Sequence, residues 1–274
     1  MTREAPTLAV STWPEWTFFG SIVGLLRETI EKVRAADTTD TGSLFPWLDS
    51  VAESTASLEL LAREQALRDA YVIARVIYET ALNACFVLTE PARLSERADR
   101  HAKQKALRSL VRRIEIAGQP LFEYKHSAAD QLMMAPQPKQ WLEEFTSGAG
   151  REITSWTPET VQQRLEAVYR LFGPDATKGL AFGLLLYRHA SEIAHGTLYG
   201  TLFSWGALDI GRPLAAASDI GAFRRTELRH VLKLVSFTLE SLIRIVSVAI
   251  DKPFLATSAE AALRSYYANL DKTS

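Results

Sequence analysis

The chain has 274 residues, of which 47% are hydrophobic and 23% charged, and its formal net charge is −1. These values are typical of a soluble globular protein with a substantial core. They exclude a global electrostatic attraction to nucleic acid or to an anionic membrane. The only cysteine, Cys85, excludes an intrachain disulfide and a cysteine-based zinc site, and it favours a reducing cytoplasm.

Helix signals dominate from the first residues onward. The start MTREAPTLAV lacks the basic and apolar regions of a signal peptide, which favours a cytoplasmic location. Pro14 suits the first turn of a helix, and Gly118 and Gly173 suit helix ends. The segment 38–43 is predicted to be a polar turn and 205–217 a loop. The apolar periodicity predicts helices over 11–37, 46–90, 91–118, 157–173, 176–204, 218–252 and 258–270.

Residues 119–156 form the least regular part, where we expect one or two short helices with loops and a lid-like role. The chain shows no alternating strand pattern, no internal repeat and no long polar linker. The sequence therefore predicts one all-α domain over 1–274, a bundle of about seven to nine helices.

The most apolar long run, 231–250, contains Lys233, Glu240 and Arg244, so it predicts a core helix and no membrane span. Its apolar residues exceed the obvious needs of one core, as does an N-terminal aromatic group. We therefore expect a homodimer that associates through a helical face. The aromatic group consists of Trp13, Trp16, Phe18 and Phe19.

A polar stripe lies within the otherwise apolar helix at 70–88. Arg75, Glu79 and Asn83 are four residues apart and share one helix face. Because a buried ion pair adds little net stability, the stripe needs another reason. Either Arg75 and Glu79 neutralise each other at a partly solvated contact between helices, or the stripe is part of a functional site.

A second polar face lies in the stretch YRHASEIAHGTLYG, residues 187–200. Arg188 and His195 are two helical turns apart, with Ser191 and Glu192 between them. A lone histidine on such a helix is usually a core residue, but its polar company favours a site. We expect this face and the polar stripe of 75–83 to converge between their two helices.

These motifs resemble an uncharacterised, mainly bacterial helical family, over about residues 55–205. Its members share an Arg-x-x-x-Glu helix, a charged helix after a short break and a Tyr-x-x-x-Ser-x-x-x-His-Gly helix. The resemblance implies an all-helical fold and a shared pocket. The matching residues are Arg75, Glu79, Tyr187, Ser191, His195 and Gly196.

Arg188, His189 and His195 also resemble the motif of the HEPN superfamily, an arginine followed after four to six residues by a histidine. Arg225 and His230 meet the same spacing, but we expect them to point in different directions. The resemblance implies a metal-independent ribonuclease, or an RNA- or nucleotide-binding protein, of a bacterial toxin–antitoxin or anti-phage system. It also implies a homodimer whose protomers face their motifs, with RNA and an antitoxin or defence protein as partners.

Such chemistry uses a histidine for proton transfer and an arginine for phosphate charge, and we expect no cofactor. The charged helix after Pro91 offers a local route for RNA, although a solvated helix face is the commoner outcome for such a run. The expected catalytic residues are Arg188, His195, Glu192, Ser191 and Glu79. The expected substrate-binding residues are Arg75, Asn83, Tyr187, His189, Arg97, Arg100 and His101.

Two alternatives stay open. Glu123 with His126, and Glu192 with His195, have the Glu-x-x-His spacing of helical di-iron enzymes. Such a site would also use Glu79 and Glu166, although Arg75 would disfavour it. The other alternative is a non-catalytic interaction or sensor protein, favoured because no highly specific catalytic motif occurs.

Overall fold

A computed structural model of the chain describes residues 10–36, 44–206 and 214–270. The predicted turn at 38–43 and most of the predicted loop at 205–217 lie outside these residues. The all-α class is confirmed, since the structure is 77% helical and its sheet has only two strands within the described ranges. The chain divides into two compact units, unit 1 (Met1–Thr89 with Val161–Ser274) and unit 2 (Glu90–Thr160). The single domain stays a prediction.

In chain order, the described elements begin with a short 3-10 helix at Val10–Thr12. The α-helices and strands that follow are α1 (Pro14–Ala35), α2 (Leu44–Arg63), α3 (Leu67–Val87), α4 (Pro91–Ser109), β1 (Val111–Ile116), β2 (Gln119–Lys125), α5 (Ala129–Met134), α6 (Pro136–Glu144), α7 (Val161–Ala194), α8 (Leu198–Phe203), α9 (Ala217–Ala249) and α10 (Pro253–Leu270). The described ranges contain ten α-helices, more than the seven to nine predicted. The count is higher because it includes the short helices α5, α6 and α8.

Unit 1 is a helical bundle around α3, which packs against α2, α7 and α9. Ile77 and Leu82 of α3, Leu180 of α7 and Leu242 of α9 are fully buried. α3 is also long and apolar enough to cross a bilayer, a property that buried core helices share.

The apolar residues that suggested a helical dimer face belong to this core. Trp13, Phe18 and Phe19 are buried, and so is most of the α9 segment at 235–246. Phe18 stacks on Tyr266 with a centroid distance of 4.7 Å. Most of this apolar surface is therefore buried within unit 1 and needs no partner chain to cover it, and the homodimer stays a prediction.

Several helix boundaries differ from the prediction. The predicted helix at 46–90 is two helices, separated at Gln65, whose φ is 53°. The break predicted between the helices at 157–173 and 176–204 is confirmed, because Gly173, just before Pro174, has a non-helical conformation (φ 78°, ψ 173°) that divides α7 into two helical segments. α7 ends at Ala194, and α8 follows as a separate helix.

Unit 2 contains a β-hairpin where the sequence predicted helix and irregular chain. α4 ends at Ser109 instead of Gly118, and β1 pairs antiparallel with β2 from Val111↔Lys125 to Ile116↔Gln119. Ala117 (φ 51°) and Gly118 (φ 76°) form the two-residue turn, in which both residues need positive φ. The prediction that strands are absent was therefore wrong. The short helices α5 and α6 confirm the rest of the expectation for 119–156, and the lid stays a prediction.

Candidate functional site

The polar stripe of α3 meets α7 through Tyr187. The Tyr187 hydroxyl donates a 3.0 Å hydrogen bond to Oε1 of Glu79, and Arg75 lies 3.6 Å from the same oxygen. The Arg75 guanidinium also lies over the Tyr187 ring, 5.1 Å from its centre. Burial, followed by the charge of Glu79, raises the pKa of Tyr187. The structure thus brings together three predicted site residues, Arg75, Glu79 and Tyr187.

Asn83 continues the stripe but pairs with a residue that the sequence did not single out. Arg164, in the first half of α7, donates a hydrogen bond to Oδ1 of Asn83. Within the described residues, the buried Nε of Arg75 and hydroxyl of Tyr78 lack hydrogen-bond partners. Such atoms mark a place where water or a ligand is needed.

Arg188 and His195 do not join this group. Leu186, Ala190 and Ile193 face the core, so the opposite side of α7, with Arg188 and His195, faces solvent. Among the described residues, neither side chain makes a hydrogen bond or an ion pair. The expected convergence with the polar stripe was therefore wrong, because the buried side of α7 is rotated away from this pair.

Ser191 and Glu192 are half-buried, and no side-chain hydrogen bond of either is present in the described part of the chain. Their backbone carbonyls are engaged: that of Ser191 accepts from the His195 N–H, and that of Glu192 accepts from the N–H and hydroxyl of Thr197. The catalytic roles of Arg188, Ser191, Glu192 and His195 stay predictions. Among the described residues, no side chain forms a hydrogen bond that would orient these four groups.

A different polar group assembles where α3, α7, α8 and α9 meet, and we call it the Glu227 cluster. Its members are Tyr71, His189, Tyr199, Glu227 and His230. The Tyr71 hydroxyl donates a 2.7 Å hydrogen bond to Oε2 of Glu227, and Nδ1 of His230 lies 3.4 Å from Oε1. Nδ1 of His189 lies 2.8 Å from the Tyr199 hydroxyl.

The electrostatics of the cluster centre on Glu227. Burial raises the pKa of Glu227, but hydrogen bonds from His230 and Tyr71 and the nearby charge of His189 outweigh it, so the pKa falls below its ordinary value. Burial, together with Glu227, raises the pKa of Tyr71 well above its usual range. Glu227 is therefore a carboxylate at neutral pH, while Tyr71 stays a neutral hydrogen-bond donor.

The local fold explains how these groups meet. Glu227 and His230 are three residues apart on α9 and so are neighbours on its surface. The chain reverses after α7 at Gly196, whose φ is 65°. α8 then packs so closely that a Cβ on Gly200 would lie 2.6 Å from the Glu192 carbonyl oxygen. This reversal returns Tyr199 to His189.

Aromatic rings surround the cluster on its buried side. The His189 ring stacks on Phe203 at 5.2 Å, and Tyr71 meets Phe203 edge-on at the same distance. On the open side, the His230 side chain is 49% exposed and Tyr199 is 40% exposed. The site thus places two imidazoles and a partly buried carboxylate beside solvent, with packed aromatic rings on their inner side.

Sequence reasoning found this site only in part. His189 was predicted to bind substrate, and His230 was noted as an alternative motif histidine. Glu227 and Tyr71 were missed. The i,i+3 spacing of Glu227 and His230 on a strongly apolar helix is the sequence feature that could have indicated this site.

The charged helix α4 in unit 2 uses its cations internally. Glu144 of α6 binds both Arg97 (3.0 Å) and Arg100 (2.7 Å). Lys105 pairs with Glu152. The expected RNA route at Arg97 and Arg100 is thus largely an ion-pair network that holds α4 to α6.

His101, the third expected substrate-binding residue of this helix, packs edge-on against Phe145 at 5.0 Å. Burial and then the nearby Lys105 lower its pKa. His101 is therefore neutral at physiological pH, and its buried Nε2 has no hydrogen-bond partner among the described residues. Its role in substrate binding stays a prediction.

Unit 1 also has a cleft of about 420 Å³ beside α7, α9 and α10. Lys178, Arg264 and Tyr267 line it, together with Glu240, whose side chain is 5% exposed and pairs with Arg244 at 3.2 Å. Burial raises the pKa of Glu240. The cleft holds paired charges of both signs, so its electrostatics favour no particular class of ligand.

The residues needed for a di-iron site do not fit that chemistry. Glu123 lies in strand β2 and His126 follows it, so the helical Glu-x-x-His motif is absent there. Glu79 is engaged by Arg75 and Tyr187, and the exposed Glu166 accepts from Gln162 on its own helix. In the described ranges, no three His, Cys, Asp or Glu side chains are placed to share a metal ion. Cys85 is buried, and burial raises its thiol pKa.

Comparison with known proteins gives one match. A family profile described as "Family of unknown function (DUF5677)" matches residues 44–209, more than half of the chain. The matched segment contains Tyr71, His189 and Tyr199 and ends before Glu227. No curated protein and no solved structure matches. The matched segment is mainly helical in this chain, in agreement with the uncharacterised helical family expected from the sequence motifs. The chain therefore belongs to the DUF5677 family, whose function is unknown.

Proposed function

We propose that this protein is a metal-independent ribonuclease and that the Glu227 cluster is its catalytic centre. The observation that carries the proposal is the position of Glu227, held by Tyr71 and His230 with His189 close by. Two imidazoles near one carboxylate are the groups that acid–base cleavage of RNA requires.

In each imidazole, a neighbouring side chain orients Nδ1, and Nε2 is left to exchange a proton with a substrate. Nδ1 of His230 faces Glu227, and Nδ1 of His189 faces Tyr199. In the described part of the chain, no hydrogen bond engages Nε2 of either ring. A carboxylate at Nδ1 fixes the tautomer whose Nε2 accepts a proton, so His230 is the general base and His189 the general acid.

The reaction follows from these roles. Nε2 of His230 removes the proton of a ribose 2′-hydroxyl while the 2′-oxygen attacks the adjacent phosphorus. His189 donates a proton to the departing 5′-oxygen as the bond between phosphorus and that oxygen breaks. The products are a 2′,3′-cyclic phosphate and a free 5′-hydroxyl.

The phosphate charge needs a cation near the cluster. Arg224 lies one turn before Glu227 on α9, and its Nε donates to the Ser204 carbonyl at 3.2 Å. This contact holds the guanidinium near the end of α8, so Arg224 is our first candidate. The exposed Arg188, next to His189, is the second.

The resemblance to HEPN ribonucleases supports the same chemistry. Its arginine–histidine spacing is met by Arg225 and His230 as well as by Arg188 and His195. His230 is the histidine that a carboxylate orients. We extend the proposal to a cytoplasmic role in a bacterial toxin–antitoxin or anti-phage system, with an antitoxin or defence protein as partner.

The test is cleavage of bacterial total RNA and a labelled oligoribonucleotide by the full chain, with EDTA present. We expect cleavage with cyclic phosphate ends, and no cleavage of the same oligonucleotide with 2′-deoxyriboses. His230→Ala and His189→Ala should each reduce the rate about 100-fold or more. His195→Ala is the matched control and should keep the wild-type rate.

Two results would contradict the proposal. Loss of activity in His195→Ala with retention in His230→Ala would place the chemistry on the exposed face of α7. An absence of cleavage by folded wild-type protein on every RNA offered would favour a non-catalytic interaction protein. Circular dichroism on each variant separates both results from misfolding.

A further inference from the structure

The β-hairpin of unit 2 exposes an apolar face that nothing in the described residues covers. Arg112↔Tyr124 and Ile114↔Phe122 are cross-strand pairs, so these side chains share one face, and Ile116 follows on it by alternation. The exposed fractions are 51% for Ile114, 62% for Ile116, 52% for Phe122 and 46% for Tyr124.

The hairpin is incomplete as a sheet. Within the described ranges, β1 and β2 pair only with each other, and all their residues except Val111 are exposed. A two-stranded hairpin with both faces in water is marginally stable. An open edge beside an apolar face is the feature that associates with another strand.

The edge of β1 is better suited to pairing than that of β2. The His126 N–H donates to the Leu110 carbonyl at 2.8 Å, so alternation along the ladder turns the backbone groups of Arg113 and Glu115 toward the open edge. β2 carries the bulge that the register shift requires, and it includes Pro120, which has no N–H.

We propose that a second copy of this chain pairs its β1 antiparallel with this β1, with the two-fold axis at Ile114. The two hairpins then form one four-stranded sheet with a continuous apolar face. Arg113 and Glu115 of one strand pair with each other at 2.6 Å. In this register each of them also lies opposite the oppositely charged residue of the second copy, so the four charges alternate in sign. Ile114 meets the second copy's Ile114.

The charges of β1 favour a second copy of the chain as the partner of its open edge, and they favour the register about Ile114. Opposite charges directly across a strand pair are favourable and like charges are not. Moving the axis to Arg113 would place two arginines opposite each other. The strand is thus self-complementary about Ile114, which is the property that a two-fold symmetric interface needs.

Charge exchange between two variants tests the pairing. We expect light scattering of the wild-type chain at tens of micromolar to give twice the monomer mass of 30.5 kDa. Arg113→Glu and Glu115→Arg should each weaken dimerisation by roughly tenfold or more, because each places two like-charge pairs across the interface. An equimolar mixture should dimerise again, because one variant's acidic pair then faces the other's basic pair.

Lys125→Glu, on the opposite edge of the hairpin, is the matched control and should leave the dimer intact. A monomeric wild type at these concentrations would overturn the proposal. So would dimers that withstand both single variants, or variants that stay monomeric when mixed although their circular dichroism is native. Loss of the dimer in Lys125→Glu alone would assign the interface to β2 and overturn the β1 register.

Discussion

The Tyr71 hydroxyl donates a 2.7 Å hydrogen bond to Glu227, a residue 156 positions further along the chain. The bond joins α3 to α9, and Tyr71 is 4% exposed. Because the acceptor is a partly buried carboxylate, removing the donor leaves a costly unpaired charge.

Tyr71→Phe should therefore lower the free energy of unfolding by about 1–3 kcal/mol, measured by urea denaturation. Tyr199→Phe is the control, since Tyr199 is 40% exposed, and should cost less than about 0.5 kcal/mol. Under the proposed function, Tyr71→Phe also raises the pKa of Glu227, so the acid-side loss of cleavage moves to higher pH. An unchanged pH profile with full activity would show that Tyr71 only stabilises the fold.

Glu227 and Glu240 should affect the pH dependence of stability in opposite directions. The pKa of Glu227 is lowered in the folded state, so its contribution is present above the unfolded value of about 4.3 and is lost as pH falls through the lowered pKa. Glu227→Gln should thus be less stable than wild type at pH 7, with the difference fading in acid.

Burial raises the pKa of Glu240, so folding holds its proton more tightly than the unfolded chain does. Wild-type stability then falls as pH rises from about 4.3 through the raised pKa. The stability of Glu240→Gln relative to wild type should therefore increase with pH. Melting temperatures at pH 4 and pH 8 for both variants check the two signs, and parallel trends would contradict them.

Gly179→Ala should destabilise unit 1, since its Cβ would lie 1.9 Å from the Phe237 carbonyl oxygen. We expect a loss of about 1–3 kcal/mol or more, because backbone must move to make room. Gly20→Ala is the matched control on an exposed position of α1, with no atom within 4 Å of its Cβ. It should raise stability by about 0.5–1 kcal/mol. Chemical denaturation of both variants measures the difference.

Glu144→Ala should loosen unit 2 because it removes the ion pairs that join Arg97 and Arg100 of α4 to α6. Arg97 keeps its hydrogen bond to the Trp156 carbonyl and Arg100 keeps its pair with Glu96, so we expect a cost of about 0.5–1.5 kcal/mol. Limited proteolysis should then cut residues 90–160 faster than in wild type. Glu96, whose side chain is 71% exposed, also pairs with Arg100, so Glu96→Ala is the control and should change little. Equal cleavage of both variants would mean that Glu144 is no more important than a surface charge.

Helical periodicity was sufficient to predict the fold class, because the apolar faces of α1, α3 and α9 are long and regular. It failed at residues 111–125, where VRRIEI has three charged residues in six, a density similar to that of α4, which has eight in nineteen. The turn there uses Ala117 at positive φ, where the usual hairpin signal has asparagine or aspartate.

The candidate site was harder to predict, because its residues come from four helices. Spacing within one helix showed correctly that Arg188 and His195 share a face. Only packing determines whether that face is buried, and Leu186 and Ala190 direct it to solvent. The contact of Tyr71 with Glu227 joins distant positions that no local pattern relates.

The division of the chain also has a consequence for biosynthesis. Unit 2 is encoded entirely between the two segments of unit 1, so it can fold while the ribosome is still making α7. Tyr71 leaves the ribosome early, but Glu227 and His230 emerge only after more than three quarters of the chain has been made. The nascent protein therefore cannot assemble the Glu227 cluster, so any activity of that cluster is withheld until α9 has been translated.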